Sequence, residues 1–137
     1  MTDHDLGAPL AAVTDDGKMW AVLCYLTMIM GLPLAIIPLV QRDDDFALYH
    51  ARHALAAYLA FTVVFVLFTA LTVPLGLCTL GMSTIVTLPA TILMLLWPLA
   101  VTVHGVILTI NGERSEPVGV FGLGDMMFGN VVLKEGR

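Results

Sequence analysis

Charged residues are scarce in this chain, and they are unevenly placed. Only 12% of the 137 residues are Asp, Glu, Lys or Arg, whereas 58% are hydrophobic. This balance excludes an ordinary soluble globular protein, and the length leaves room for one domain. Residues 19–40 include no charged residue or histidine, and residues 54–110 include only His104. Since about 20 apolar residues cross a bilayer core, these runs predict membrane-spanning helices.

Several other features are missing, and each absence excludes a class of protein. The net charge is −5 and there is no basic patch, which excludes a nucleic-acid partner. No basic segment precedes the first apolar run, so that run is not expected to be a cleaved signal peptide. The two cysteines, Cys24 and Cys78, lack metal-type spacing. We expect them to be small apolar residues rather than a disulfide pair.

The sequence predicts an all-α integral membrane protein. A polar tail of residues 1–18 comes before the first span, which Gly31, Pro33 and Pro38 should kink. After the last span, residues 111–137 form a tail. Its apolar part, 118–133, has four glycines and Asp125, so we expect an interfacial or re-entrant segment, with a fourth span as the alternative. The three predicted spans are 19–40, 53–73 and 83–110, with a polar loop at 41–52.

The basic residues give an orientation. With three spans, Lys18 lies on one side of the membrane together with the N-terminal tail and the turn near residues 76–81. Five basic residues lie on the other side, with the loop and the C-terminus. The positive-inside rule then places the loop and the C-terminus in the cytoplasm. The five residues are Arg42, Arg52, Arg114, Lys134 and Arg137.

The polar loop concentrates charge and histidine between two apolar runs. Its histidines and carboxylates are sufficient for a metal, but their spacing is not that of a zinc motif. We therefore expect the aspartates to be solvated turn residues and helix N-terminal anions, and the other residues to be headgroup anchors, with no metal site. The candidate residues are Arg42, Asp43, Asp44, Asp45, Tyr49, His50, Arg52 and His53.

A stripe of small and polar residues follows one face of the third predicted span. We expect the stripe to pack against another helix, because a transport path along it would need an ionisable group and none lies on it. His104 lies on a different face and is the one ionisable group well inside a span, so a proton-relay role is the alternative. The stripe includes Thr84, Thr87, Thr91, Thr102, Gly105 and Thr109.

Two segments carry a family resemblance. The run Arg-Asp-Asp-Asp-Phe-Ala-Leu-Tyr-His-Ala-Arg-His opens the second span, and Asn-Gly-Glu-Arg-Ser-Glu-Pro-Val-Gly follows the third. The chain resembles the Tic20-like membrane proteins of bacteria, and among them the magnetosome-associated MamF and MmsF group. The resemblance implies a small polytopic protein of the bacterial inner membrane, or of an organelle membrane derived from it. The second segment supplies the motif residues Gly112, Glu113, Pro117 and Gly119.

Two leading functions remain open from the sequence, with a metal-sensing polar loop as a third. The first is a non-enzymatic assembly or scaffold factor in organelle biogenesis, with the bilayer and other membrane proteins, or a second copy, as partners. The second is a subunit of a protein-translocation or solute-transport complex. No nucleophile elbow, phosphate-binding glycine loop or pair of intramembrane carboxylates is present, so we predict neither an enzyme nor a cofactor.

Overall fold

Residues 13–131 are described by a computed structural model, and their regular structure is helical throughout. This confirms the predicted all-α fold. The two longest helices form an antiparallel hairpin, and three shorter helices pack around its open end. The helices are α1 (Asp15–Ile29), α2 (Ile36–Gln41), α3 (Asp45–Cys78), α4 (Thr84–Asn111) and α5 (Leu123–Phe128).

Two helices in the described part of the chain are long and apolar enough to cross a membrane. They are α3, with 34 residues, and α4, with 28. At 1.5 Å per residue they are about 51 and 42 Å long, more than the roughly 30 Å of a bilayer core. The first predicted span is instead divided into α1, of 15 residues, and the six-residue α2. At about 22 Å, α1 is too short to cross.

The chain reverses between α1 and α2, so the start of α1 and the end of α2 both lie near the start of α3. Gly31 adopts a left-handed conformation, with φ of 72°, and Pro33 cannot donate a helical hydrogen bond. The Tyr58 hydroxyl donates to the Gly31 carbonyl oxygen over 3.2 Å, which joins this reversal to the middle of α3. The chain then returns through α2 to the N-terminus of α3.

The N-termini of α1 and α3 lie side by side. The Thr14 hydroxyl accepts from the Gly17 N–H and donates to the Asp44 carboxylate over 2.6 Å. That carboxylate also caps α3 by accepting from the Ala47 N–H. Residue 14 therefore lies at the same end of the molecule as Asp44, whereas the sequence led us to expect the N-terminal tail opposite the loop. The difference arises because α1 and α2 form a reversal instead of one continuous helix.

Burial divides the molecule into two parts. The buried residues of α3 all lie between Phe46 and Ala57, and those of α4 between Val101 and Thr109. Here these helix halves pack with α1, α2 and α5. We call this part, residues 14–58 and 101–131, the head. The remainder, residues 59–100, has most of its large apolar side chains exposed and is called the hairpin.

Three segments differ from their predicted boundaries. Most of the predicted 41–52 loop is helical, because Asp44 caps α3 and the helix begins at Asp45. At its other end α3 continues through Pro74 to Cys78, beyond the predicted end at 73. The 118–133 segment, of which 118–131 is described, has only the six-residue α5. That helix is too short to be a fourth span, and it packs on α3.

Candidate functional site

His50 lies at the centre of the head and joins three segments. The side chain is fully buried, and its Nε2 lies 3.0 Å from the Glu113 carbonyl oxygen. Because a carbonyl only accepts, Nε2 carries the hydrogen. Nδ1 then accepts from the Tyr25 hydroxyl over 3.2 Å. Rings of Phe46 and Tyr49 stand edge-on to the imidazole. His50 is therefore a neutral connection between α1, α3 and the segment after α4.

The stripe on α4 is divided between the two parts of the molecule. Gly105 lies against Tyr25: a Cβ at Gly105 would lie 2.6 Å from a carbon of the tyrosine ring. The Thr102 hydroxyl donates to the Tyr25 carbonyl oxygen over 3.4 Å, and Thr109 is buried beside them. Gly105 and Thr102 thus contact α1, and all three stripe residues lie inside the head. The other three lie in the hairpin, where Thr84 is exposed and Thr87 and Thr91 are half-buried.

The charged residues of the predicted loop make separate local contacts. Arg42 closes α2 in a left-handed conformation, and Asp43 is exposed. Asp45 forms an ion pair with Arg114, which connects the start of α3 to the segment after α4. The Arg52 guanidinium donates to the Val131 carbonyl oxygen. These contacts hold the C-terminal segment on α3, and the three aspartates do not converge on either histidine.

The motif after α4 shapes the chain as it passes over the head. Gly112 ends α4 with φ of 72°, and Gly119 has φ of 84°. At Gly119 a Cβ would lie 2.7 Å from Nε1 of Trp97, so this glycine allows a close approach to α4. Pro117, which lies between these two glycines in the sequence, is fully buried. His104 belongs to the same contact, because its Nδ1 accepts from the Val118 N–H over 3.0 Å.

His53 lies among two carboxylates from other segments. Its Nε2 is 3.5 Å from an oxygen of Glu116. The carboxylate of Asp125, on α5, lies close to both groups. One potential ligand atom from each of the three residues lies within 4.8 Å of the other two. His53 is buried, whereas both acids are exposed. Within residues 13–131 this is the group of His, Cys, Asp and Glu residues whose spacing would suit a metal ion.

The sequence singled out His53 but neither of its acidic neighbours. Glu116 lies inside the motif that follows α4, and Asp125 is the one acid in the glycine-rich segment. For Asp125, the signal available in the sequence was an isolated acidic residue in an apolar segment. Tyr25 was also missed as a partner of His50, because a tyrosine near a predicted membrane interface gives no indication of what its hydroxyl will bind.

The two cysteines are free and lie far apart. Cys24 is buried in the same core cluster as Ala54, while Cys78 is exposed at the far end of α3. The 24 residues between Ala54 and Cys78 correspond to about 36 Å of helix. They do not form a disulfide.

A protein-family model matches residues 16–120, which is most of the chain. Its description is the magnetosome magnetite crystal formation protein family, and it is a family of magnetosome membrane proteins rather than a known enzyme family. The matched range includes α1 apart from its first residue, α2 to α4, His50, His53 and the motif after α4. No curated protein and no solved structure matches the chain. The family match confirms the resemblance seen in the sequence: the chain belongs to the MamF/MmsF magnetosome magnetite crystal formation protein family.

Proposed function

We propose that the protein is a non-enzymatic assembly factor of the magnetosome membrane that contributes to magnetite crystal formation. The family match supports the process. The observation that carries the proposed mode of action is the division into an apolar hairpin and a polar, tightly bonded head. The hairpin anchors the chain in the bilayer, and the head provides a fixed surface next to it.

The length of the hairpin supports anchoring in a bilayer. Residues 59–78 of α3 form an exposed apolar helix of 20 residues, or about 30 Å, which equals the thickness of the hydrocarbon core. Tyr58 and Trp97 lie where the hairpin meets the head, a position typical of interfacial aromatic residues. Ile29, Met30 and Leu32, at the reversal after α1, are exposed at the level of Tyr58. In this arrangement they rest in the interface without crossing.

The bonding of the head supports a structural role over a catalytic one. Both ring nitrogens of His50 are engaged, and the Tyr25 hydroxyl is used in the same network. A proton carrier needs a nitrogen that is free to exchange. These side chains instead fix the position of the segment after α4. The transport alternative has no observation of its own in the described residues.

The charge distribution supports a cytoplasmic head. All the basic residues in the described range lie in the head, and residues 59–100 have no charged residue. By the positive-inside rule we therefore propose that the head lies in the cytoplasm and the turn at residues 79–83 on the opposite side. The four basic residues are Lys18, Arg42, Arg52 and Arg114.

The test measures whether the complexes that co-purify with the protein at native size are lost in a stripe variant. The half-buried Thr87 and Thr91 mark the part of the stripe that lies in the hairpin. In a magnetite-forming host that lacks its own copy, the variant Thr87→Leu/Thr91→Leu should reduce the complexes that co-purify with the protein in mild detergent and change crystal size in electron micrographs. The double variant Ile85→Leu/Ile92→Leu is a matched control on exposed positions of the same helix. Intact complexes in the threonine variant would contradict the assembly mechanism.

A further inference from the structure

His53 has the hydrogen-bond pattern of a metal ligand. Its Nδ1 lies 2.9 Å from the Tyr49 carbonyl oxygen, so Nδ1 donates and the neutral ring keeps a lone pair on Nε2. Metal-binding histidines are commonly oriented in this way, with the other ring nitrogen donating to a carbonyl. Nε2 is buried and has no hydrogen-bond partner among the described residues. A buried, unpartnered acceptor is costly unless a ligand satisfies it.

The environment of His53 fixes the direction of its ring. The Tyr49 ring lies 4.5 Å from the imidazole, centroid to centroid. On another side α5 makes close contact through Gly124, where a Cβ would lie 2.7 Å from a ring carbon. The ring therefore cannot turn easily, and Nε2 stays directed at the two carboxylates.

Both carboxylates come from outside α3. Glu116 is held in place because its second oxygen accepts from the Gly122 N–H over 2.8 Å. Asp125 lies on α5, one residue after the glycine that contacts His53. Two acids this close repel each other, and a cation between them removes that cost. The fold thus brings one nitrogen and two oxygen donors from three separate segments to one point.

We propose that His53, Glu116 and Asp125 form a binding site for a first-row divalent cation such as Fe²⁺. An imidazole with two carboxylates suits Fe²⁺, Mn²⁺ or Zn²⁺, whereas Mg²⁺ and Ca²⁺ prefer oxygen ligands alone. With metal–ligand bonds of about 2.1 Å, neighbouring ligand atoms lie roughly 3 to 3.5 Å apart. The His53–Glu116 separation of 3.5 Å fits this range. Asp125 is exposed and can rotate to complete the set.

A competing account of the same geometry needs no metal. A protonated His53 would form an ion pair with Glu116, and Asp125 would add a second negative charge nearby. The two accounts differ in what the purified protein retains. Only the metal site binds a cation in a fixed ratio and selects transition metals over Mg²⁺. The proposal does not depend on the assembly function, because binding is measured on the isolated protein.

The test is metal binding by the full chain, purified in detergent without a histidine tag and stripped with a chelator. Equilibrium dialysis against Fe²⁺ under anaerobic conditions, followed by elemental analysis, should give about one iron per chain, and the same dialysis against Mg²⁺ should give none. X-ray absorption of the iron-loaded protein should show nitrogen and oxygen neighbours. No stoichiometric binding of Fe²⁺ would overturn the proposal and favour the ion pair.

Conservative variants test whether Glu116 and Asp125 are ligands of the bound metal. Glu116→Gln and Asp125→Asn alter exposed side chains, so the fold should persist, and each should weaken Fe²⁺ binding at least about tenfold. Glu113→Gln is the control, because it makes the same charge change at an exposed position three residues from Glu116. Equal losses in all three variants would show that surface charge alone attracts the ion. Unchanged binding in both site variants would also overturn the assignment.

Discussion

Leucine residues occur in both halves of α3, yet their surroundings are opposite. Leu48 and Leu55 in the head half are buried, whereas Leu67 and Leu71 in the hairpin half are exposed. The head half has alanine at positions 47, 51, 54 and 57, which follow the helical period and let another helix come close. The hairpin half has Val, Leu and Phe at most positions. The buried half therefore combines small side chains with Asp45, His50, Arg52 and His53, whereas the exposed half has mostly bulky apolar side chains and no charged residue.

A charge placed in each part tests this difference most strongly. Val66 is 58% exposed in the hairpin and Val118 is 64% exposed in the head. Val66→Lys should cost about 3 kcal/mol of membrane insertion, because it places an ammonium group near the bilayer centre. Val118→Lys should have little effect. Carbonate extraction of membranes from cells producing each variant measures insertion, and equal extraction of both would mean that the hairpin does not lie in lipid.

Removal of the central histidine should be the largest perturbation of the head itself. His50→Leu leaves the Tyr25 hydroxyl and the Glu113 carbonyl without partners, at about 1–3 kcal/mol for a buried unsatisfied group. Thermal unfolding in detergent, followed by tryptophan fluorescence, measures the loss. Tyr25→Phe removes only the hydroxyl and should cost less. If the two variants were equally destabilised, the bond to Glu113 would contribute nothing.

The same small substitution should have different effects in the two parts. Gly105→Ala places a methyl group 2.6 Å from the Tyr25 ring, and overpacking of this kind costs about 1–3 kcal/mol. Gly76→Ala meets nothing closer than the Ser83 hydroxyl at 3.8 Å and should leave stability unchanged or slightly raised. Unfolding temperatures of the pair provide the comparison. A stable Gly105→Ala protein would show that α1 does not pack closely on α4.

The smallest effect is expected at the capped start of α3. Asp44→Ala removes the cap and the hydrogen bond from Thr14, which should cost about 1 kcal/mol. Asp43→Ala, at the neighbouring exposed position, makes the same change in charge and should cost nothing measurable. Thermal unfolding again gives the difference. Equal stability of the two variants would mean that α1 and α3 are not joined at this end.

Hydropathy was enough to predict the helical membrane class and the two long helices, because apolar length alone determines both. It failed for residues 19–40, where the reversal at Gly31 depends on packing against α3 as well as on the local sequence. For the polar loop, Asp44 and Asp45 lie at the N-terminus of a helix, as expected of helix N-terminal anions. The sequence did not indicate that Asp45 would pair with Arg114, far along the chain.

The candidate site was harder to predict than the fold. His53 could be singled out as a histidine at the start of an apolar run. Its proximity to Glu116 and Asp125 depends on how the chain turns after α4, where Phe121 and Gly122 both adopt positive φ. No periodic pattern in residues 112–125 indicates that turn. Contacts between residues more than 60 positions apart are decided by tertiary packing, which a single sequence does not display.

The bond between His50 and the Glu113 carbonyl also sets an order of events during synthesis. Tyr25 and His50 emerge from the ribosome early, but the carbonyl that completes their network comes 63 residues after His50, beyond both helices of the hairpin. The hairpin must therefore be made before the head can close. A nascent chain would enter the bilayer with its head open, and closure of the head would report that both long helices have been inserted.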